Sequence, residues 1–226
     1  MMPLLSKYSL PTFVEYANTF DYDLRVIPLE KDSMDRKADL AKSARWHKIS
    51  IMRDALTNSK VVIWLDADIM ICRNDEDIIS NLEPHDYQGF VLHDVPAENR
   101  INPNSGVWVM RQEQRSLDFL NTIETIGLPG GRWADQGAIM RALGWNLGDE
   151  NYFGAKFPQH GSCFLEGTQW LPIGWNQPSF EDRQNLESYE GRPRVPNPHA
   201  VHFMAMTIEQ RMASMAKLAA DLRSRN

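Results

Sequence analysis

The chain is poor in cysteine, in long apolar runs and in excess positive charge, and each shortage removes a class of protein. Cys72 and Cys163 are the only cysteines in 226 residues and stand in no C-x-x-C spacing, which argues against a disulfide framework and a thiolate metal site. Both are expected reduced and half-buried. The purest apolar run, Val-Val-Ile-Trp-Leu over 61–65, stops at Asp66, far short of the ~20 residues a bilayer-spanning helix needs. No basic stretch leads into an apolar one at the N-terminus, so no secretory signal is read there and a cytoplasmic location is expected. The 24 Lys and Arg against 30 Asp and Glu leave a net charge of −6, the wrong sign for a phosphate-backbone footprint, and no nucleic-acid partner is expected. With 42% hydrophobic and 24% charged residues, the composition is that of an ordinary globular protein, not a disordered or collagen-like one.

What is present is an alternation of periods. Leu10, Phe13, Val14, Ala17 and Phe20 mark one helix face, and Trp46, Ile49, Met52 and Leu56 mark another. Strands are predicted over 24–29, 61–66, 90–93, 107–110 and 199–203, and helices over 74–82, 116–126 and from Trp133 to about Leu143. Residues 31–39 read as a loop, and the stretch 144–198 is loop-rich, with short strands expected near Phe164 and Trp170. Thr207 and Gln210 form a capping box ahead of a helix whose stripe is Ile208, Met212, Met215, Leu218 and Leu222, read as core. Strands alternating with helices give an α/β fold. No linker divides the chain, so 1–226 is taken as one domain with a regular first half and an irregular second half.

The chemistry begins at Asp66-Ala67-Asp68. The pattern D-x-D also occurs at Asp21/Asp23 and Asp75/Asp77, so the pattern alone is weak; what distinguishes Asp66 and Asp68 is that they close a buried strand. Ligands of open α/β sheets bind outside the carboxyl ends of strands. Two carboxylates there require compensation, and a divalent cation on Asp68, with Asp66 on the metal or on a ligand hydroxyl, supplies it. His202, in the apolar strand near the C-terminus, is a candidate third ligand, because imidazole suits Mn²⁺; a satisfied core histidine is the plainer alternative. His199 ranks lower because it follows Pro198 at the strand edge.

These residues form an ordered set. Trp64-Leu65-Asp66-Ala67-Asp68, Asn104-Ser105-Gly106-Val107, Asp135-Gln136, Leu171-Pro172 with Trp175-Asn176, and His202-Phe203 resemble the retaining GT-A glycosyltransferases. Arg45-Trp46-His47-Lys48 looks most like the branch of fungal galactosyl- and mannosyltransferases and plant xyloglucan xylosyltransferases, and less like the glycogenin-like branch. The resemblance implies a GT-A fold with a mixed, mainly parallel central sheet flanked by helices. About 1–110 would bind the nucleotide-sugar, and about 111–226, with the C-terminal helix, the acceptor.

The same resemblance implies site roles. Asp66, Asp68 and His202 would hold Mn²⁺ or Mg²⁺, with Asp66 also at the donor ribose. Lys48 would be a donor-side cation, although a solvated helix lysine is the bland alternative. Asn104, Ser105 and Gly106 would form a turn into a strand that lets backbone approach the sugar. Asp135 would orient hydroxyls and Gln136 would stabilise oxocarbenium-like charge in a front-face mechanism; an N-terminal helix cap is the alternative for Asp135. Trp133, Trp170 and Trp175 could stack on sugar faces or simply pack. The glycine that often follows the His-Phe pair is replaced by Met204-Ala205.

The first strand of the fold is short or missing, because a helix begins near Ser9. Either the native chain starts upstream of Met1, the favoured expectation, or donor binding is weak. The implied activity is transfer of a hexose or pentose from a nucleotide-diphospho-sugar to a carbohydrate acceptor. Its alternative is a non-catalytic sugar-nucleotide-binding or scaffold protein. A sugar-nucleotide pyrophosphorylase would need a Gly-rich basic N-terminal loop that the sequence lacks. Donor identity is not readable, and homo-oligomerisation is left open.

Overall fold

The computed structural model describes residues 5–27, 37–128, 134–147, 154–179 and 191–224, with only the backbone described for 5, 6 and 37–45. The architecture grows from β4 (Arg100–Arg111), whose alternate side chains are buried on both faces. Trp108 and Met110 point into one core with Ile49, Met52, Phe119, Ile123 and Ile139. Val107 and Val109 point into the other with Phe13, Tyr16, Ile69 and Val91. A period-2 strand buried on both sides needs a layer on each face, and helices supply much of that cover. One layer is α2 (Lys37–Leu56), α3 (Gln114–Ile126) and α4 (Ala134–Leu143); α1 (Leu10–Phe20) lies on the other side.

The remaining strands are β1 (Val61–Leu65), β2 (Ile69–Ile71), β3 (Gln88–Val95), β5 (Thr168–Leu171), β6 (Gln177–Pro178) and β7 (Ala200–His202), and the last helix is α5 (Ile208–Arg223). One sheet runs β1-β4-β3-β5 and a smaller one β2-β7-β6. The pairs β1/β4, β3/β4 and β2/β7 are antiparallel, whereas β3/β5 and β6/β7 are parallel. The sheets are therefore mixed, and the expectation of a mainly parallel sheet is corrected. The cause is local: a single 3₁₀ turn, Pro96–Glu98, with Asn99 at φ 48°, joins β3 to β4. So short a link permits only antiparallel neighbours, since a parallel pair needs a crossover of a dozen residues or more.

Between β3 and β4 the register jumps. Phe90 pairs with Trp108, but Val91 pairs with Asn104, so 105–107 are released from β3 while β1 still holds Leu65 opposite Val107. A bulge of this kind re-aims side chains. Asn104, Ser105 and Gly106 thus sit on a bulge inside a long strand instead of in a turn before a short one.

Several expected elements differ. Residues 22–27 make no strand; Leu24, Val26 and Ile27 are exposed, since they have no ladder partner, and 28–29 lie outside the described residues, as do 31–36 of the expected loop. Residues 37–39 form the first turn of α2. Only Ile78–Asn81 is helical within 74–82, as a 3₁₀ turn. Phe164 lies in a turn, whereas Trp170 is in β5. The α5 capping box is present as read, but of its stripe Met215 is fully buried while Ile208 and Met212 are exposed, because the helix packs on a small satellite core with Tyr8, Met70 and Phe203. Cys72 is half-buried and Cys163 exposed, with no disulfide between them. Before β1, residues 5–20 are helical, so no first strand lies among the described residues there. No helix among the described residues is long and apolar enough to cross a membrane.

Candidate functional site

A cleft of about 1060 Å³ opens along β1, the bulge of β4, the start of α4 and the end of β7, and Asp66, Asp68, Ser105, Asp135 and His202 line it. The local folding of the acidic segment explains its position. Asp66 N–H donates to Gly106 O at 2.8 Å, extending the β1/β4 ladder by one bond, and Ile69 N–H then donates to Asp66 O at 3.0 Å, closing a turn. That turn feeds β2, where Ile69 is paired with His202 of β7. The antiparallel pairing, with Phe203 N–H donating to Asp68 O at 2.9 Å, brings a histidine from near the C-terminus beside an acid more than a hundred residues earlier.

Asp66, Asp68 and His202 each offer one ligand atom, and these atoms lie within 4.8 Å of one another. His202 Nε2 is 3.2 Å from Asp68 Oδ1, and Arg211 Nη2 of α5 is 3.2 Å from Asp68 Oδ2. Burial alone would push the Asp68 carboxyl up, but His202 and then Arg211 outweigh it and hold the group below the usual carboxylate range. Two carboxylates and an imidazole form a donor set suited to Mn²⁺, and to Mg²⁺ through the oxygens. Neither of the other D-x-D pairs belongs to a metal-competent group among the described residues.

Lys48 ties this group to α4. Its Nζ is 3.1 Å from Asp66 Oδ1 and donates to Asp135 Oδ2 at 3.1 Å, Ser105 O at 2.9 Å and Ser105 Oγ at 3.1 Å. It is 3% exposed, so the solvated-lysine alternative fails. Burial would lower its pKa, yet Asp135 and then Asp66 more than offset this, and the ammonium is held above the ordinary lysine range. Ser105 Oγ also donates to Asp135 Oδ2 at 2.8 Å, and Trp64 Nε1 to Asp66 Oδ1 at 2.6 Å. Gln136, next along α4, has a buried Nε2 with no hydrogen-bond partner among the described residues.

Gly106 is pressed from above: a Cβ built on it would lie 2.4 Å from His202 Cε1. The absent side chain makes room for the imidazole ring. His199 is elsewhere, stacked on Trp175 with ring centroids 4.3 Å apart and its Nε2 3.3 Å from Glu76. Trp175 is buried, Trp170 packs edge-on against Trp145 and Phe157, and Trp133 lies outside the described residues. Arg211 was missed in the sequence; its one signal is a basic residue just after the capping box, common on any solvated helix face.

The sequence matches no family model, and no curated protein matches it. Solved structures do. The crystal structure of a glycosyltransferase involved in the glycosylation of the major capsid of PBCV-1 matches at TM-score 0.59 and 13% identity, over 94% of this chain and 92% of that one. The chain has the fold of a glycosyltransferase. Weaker likenesses are to the bifunctional glycosyltransferase WbbM (TM-score 0.48, 12% identity, 81% of this chain and 37% of that one) and to mouse xyloside xylosyltransferase 1 (0.39, 12%, 72% and 64%). At such identities the glycosyltransferase likeness is one of fold.

Proposed function

We propose that the chain is a metal-dependent, retaining GT-A glycosyltransferase that moves a hexose or pentose from a nucleotide-diphospho-sugar to a hydroxyl of a carbohydrate acceptor. The observation that carries this reading is the Asp66, Asp68 and His202 group, within 4.8 Å, on the wall of a cleft in a glycosyltransferase fold. Those three residues would hold Mn²⁺ or Mg²⁺. When bound, the ion supplies Lewis-acid stabilisation of the departing diphosphate.

The chain's own residues supply the rest. Lys48, its ammonium committed to Asp66, Asp135 and Ser105, acts as a fixed cation that keeps both carboxylates in place, so its service to the donor is indirect. Asp135 Oδ2 accepts from Lys48 and Ser105, which leaves Oδ1 to orient a sugar or acceptor hydroxyl. Gln136 Nε2, which has no hydrogen-bond partner among the described residues, carries a desolvation cost of about 1–3 kcal/mol. A sugar oxygen would relieve it, and the amide dipole would face charge developing at the anomeric centre. With acceptor and diphosphate on one face, the acceptor oxygen bonds to the anomeric carbon as the bond to phosphate breaks, and the proton passes to the departing phosphate oxygen. No second carboxylate is then needed as nucleophile, unlike a retaining glycosidase.

The test is nucleotide-sugar hydrolysis and transfer, with product stereochemistry read by NMR, in Mn²⁺ and in EDTA. Mn²⁺-dependent release of nucleoside diphosphate with retention is expected, and Gln136→Ala should lower turnover more than donor affinity. Donor binding without turnover would point instead to a sugar-nucleotide-binding protein. Failure of every nucleotide sugar to stabilise the protein or turn over would end the proposal.

A further inference from the structure

We propose that Asn176 is a positioning residue that keeps the proton of His202 on Nδ1, so that Nε2 is the nitrogen presented to the metal. The inference rests on the metal-dependent reading above and assigns a role to a fully buried side chain that lies behind the ligands.

One donor in this cluster has a fixed identity. Gly106 N–H is a backbone amide and can only donate; it meets the Asn104 side chain at 2.9 Å, so the atom it meets must be Oδ1. The same Oδ1 lies 2.9 Å from the Asn176 side chain. An atom already accepting there requires a second donor, so Asn176 presents Nδ2 to Asn104. Its Oδ1 must therefore face the other way, toward His202 Nδ1 at 2.9 Å. An amide oxygen has no proton to give, hence Nδ1 carries the hydrogen. Met204 Sδ, 3.8 Å from Asn104 Nδ2, agrees with that orientation as a weak acceptor.

The consequence appears at the far side of the ring. With the Nδ1 proton in place, Nε2 is the nitrogen that faces Asp68 Oδ1 at 3.2 Å, and with its lone pair free it is an acceptor toward an acceptor. Two acceptor atoms at that separation need a proton or a cation between them. Hydrogen bonding at the remote nitrogen fixes ring orientation and raises ligand basicity in metal-bound histidines. Here the relay reaches from the β4 bulge to the ligand, and Gly106 both starts it with its N–H and leaves space for the ring.

The neighbourhood contains its own control. His93 Nε2 lies 3.0 Å from the backbone carbonyl of Asn176, which can only accept, so His93 carries its proton on Nε2. One residue thus holds two imidazoles protonated on opposite nitrogens, one through its main chain and one through its side chain. Replacing the side chain should release His202 and leave His93 alone.

The test is ¹⁵N-histidine NMR of the metal-free full chain, followed by Mn²⁺ titration without donor. In the parent, His202 should show a protonated Nδ1 whatever the state of Nε2, and His93 a protonated Nε2. Asn176→Ala should lose the protected His202 Nδ1–H, keep the His93 pattern as proof of an intact fold, and weaken Mn²⁺ binding about 10- to 100-fold. Asn176→Asp, which retains an acceptor, should keep the Nδ1–H and recover most of that loss. A bare Nδ1 on His202 in the parent, or Asn176→Ala binding Mn²⁺ as tightly as the parent, overturns the proposal. A parent that binds no Mn²⁺ while its Nδ1 is protonated overturns the metal-dependent reading instead, and with it the ligating role of Nε2.

Discussion

At one end of the site Asp66 and Asp135 share the ammonium of Lys48; at the other, with Asp66 still within 4.8 Å, Asp68 lies between His202 and Arg211. The first end has a built-in cation with four acceptors around it. The second ends in His202 Nε2, 3.2 Å from a carboxylate oxygen, a separation that takes a proton or a cation. One acidic site can thus be both scaffold and receptor: a buried counter-charge supplied by the chain fixes geometry, and an imidazole set beside a carboxylate leaves a place for a proton or an ion.

The largest expected effect tests the scaffold end. Lys48→Met leaves the buried Asp135 and the partly exposed Asp66 without their shared partner, and breaking the buried pair with Asp135 costs about 3–5 kcal/mol. At roughly 2–4 °C per kcal/mol for a domain of this size, calorimetry should show a large fall in Tm. Adding Asp135→Asn should restore part of it, and equal Tm values for parent and Lys48→Met would mean that the lysine is not structural.

Next in size is the receptor end. Asp68→Asn and His202→Ala should each abolish Mn²⁺ binding by calorimetry while changing Tm far less than Lys48→Met. Asp21→Ala and Asp75→Ala should leave it untouched. An unchanged Mn²⁺ affinity in Asp68→Asn would remove this end from metal binding.

A smaller effect is a slope. Burial, followed by the field of His202, pushes His93 down to about 3, against about 6.5 in the unfolded chain. The unfolded state therefore takes up a proton that the folded state refuses. The contribution of His93 to stability is complete above about pH 6.5 and declines as pH falls from there to about 3. His93→Gln, which keeps an N–H for the Asn176 carbonyl, should flatten that part of the curve of Tm against pH. A slope identical to the parent's would clear His93 of the effect.

The smallest is at Ala205, with φ 56°, in the left-handed region where a Cβ costs about 1–2 kcal/mol. Ala205→Gly should raise Tm slightly without altering Mn²⁺ affinity.

These contrasts also explain what was readable in the sequence. The strand 61–65 ahead of Asp66 and the capping box at Thr207 and Gln210 depend on local pattern, and both were legible. Strand direction was not. The polar run Asn102, Asn104 and Ser105 hid the middle of β4, since its side chains are buried on hydrogen bonds to the backbone of Pro103 and Gly106 and to Asp135, and that breaks the apolar alternation on which reading a strand depends. The burial of Lys48 was not legible because two of its partners, Ser105 and Asp135, lie 57 and 87 residues away along the chain. The bond between Asn176 and His202 was equally hidden, although both residues stood in the ordered set.

The edge position of β1 bears on how the protein behaves at high concentration. Among the described residues β1 has a ladder neighbour on one side only, β4, and its five residues are uncharged and partly exposed. Such an edge is a template for a foreign strand, and the usual safeguards are charges at its ends. Lys60 and Asp66 stand there. Asp66 thus has a second office as gatekeeper: neutralising it would remove one of the two charges that discourage chains from stacking edge to edge, and self-association on storage would rise together with the loss of chemistry.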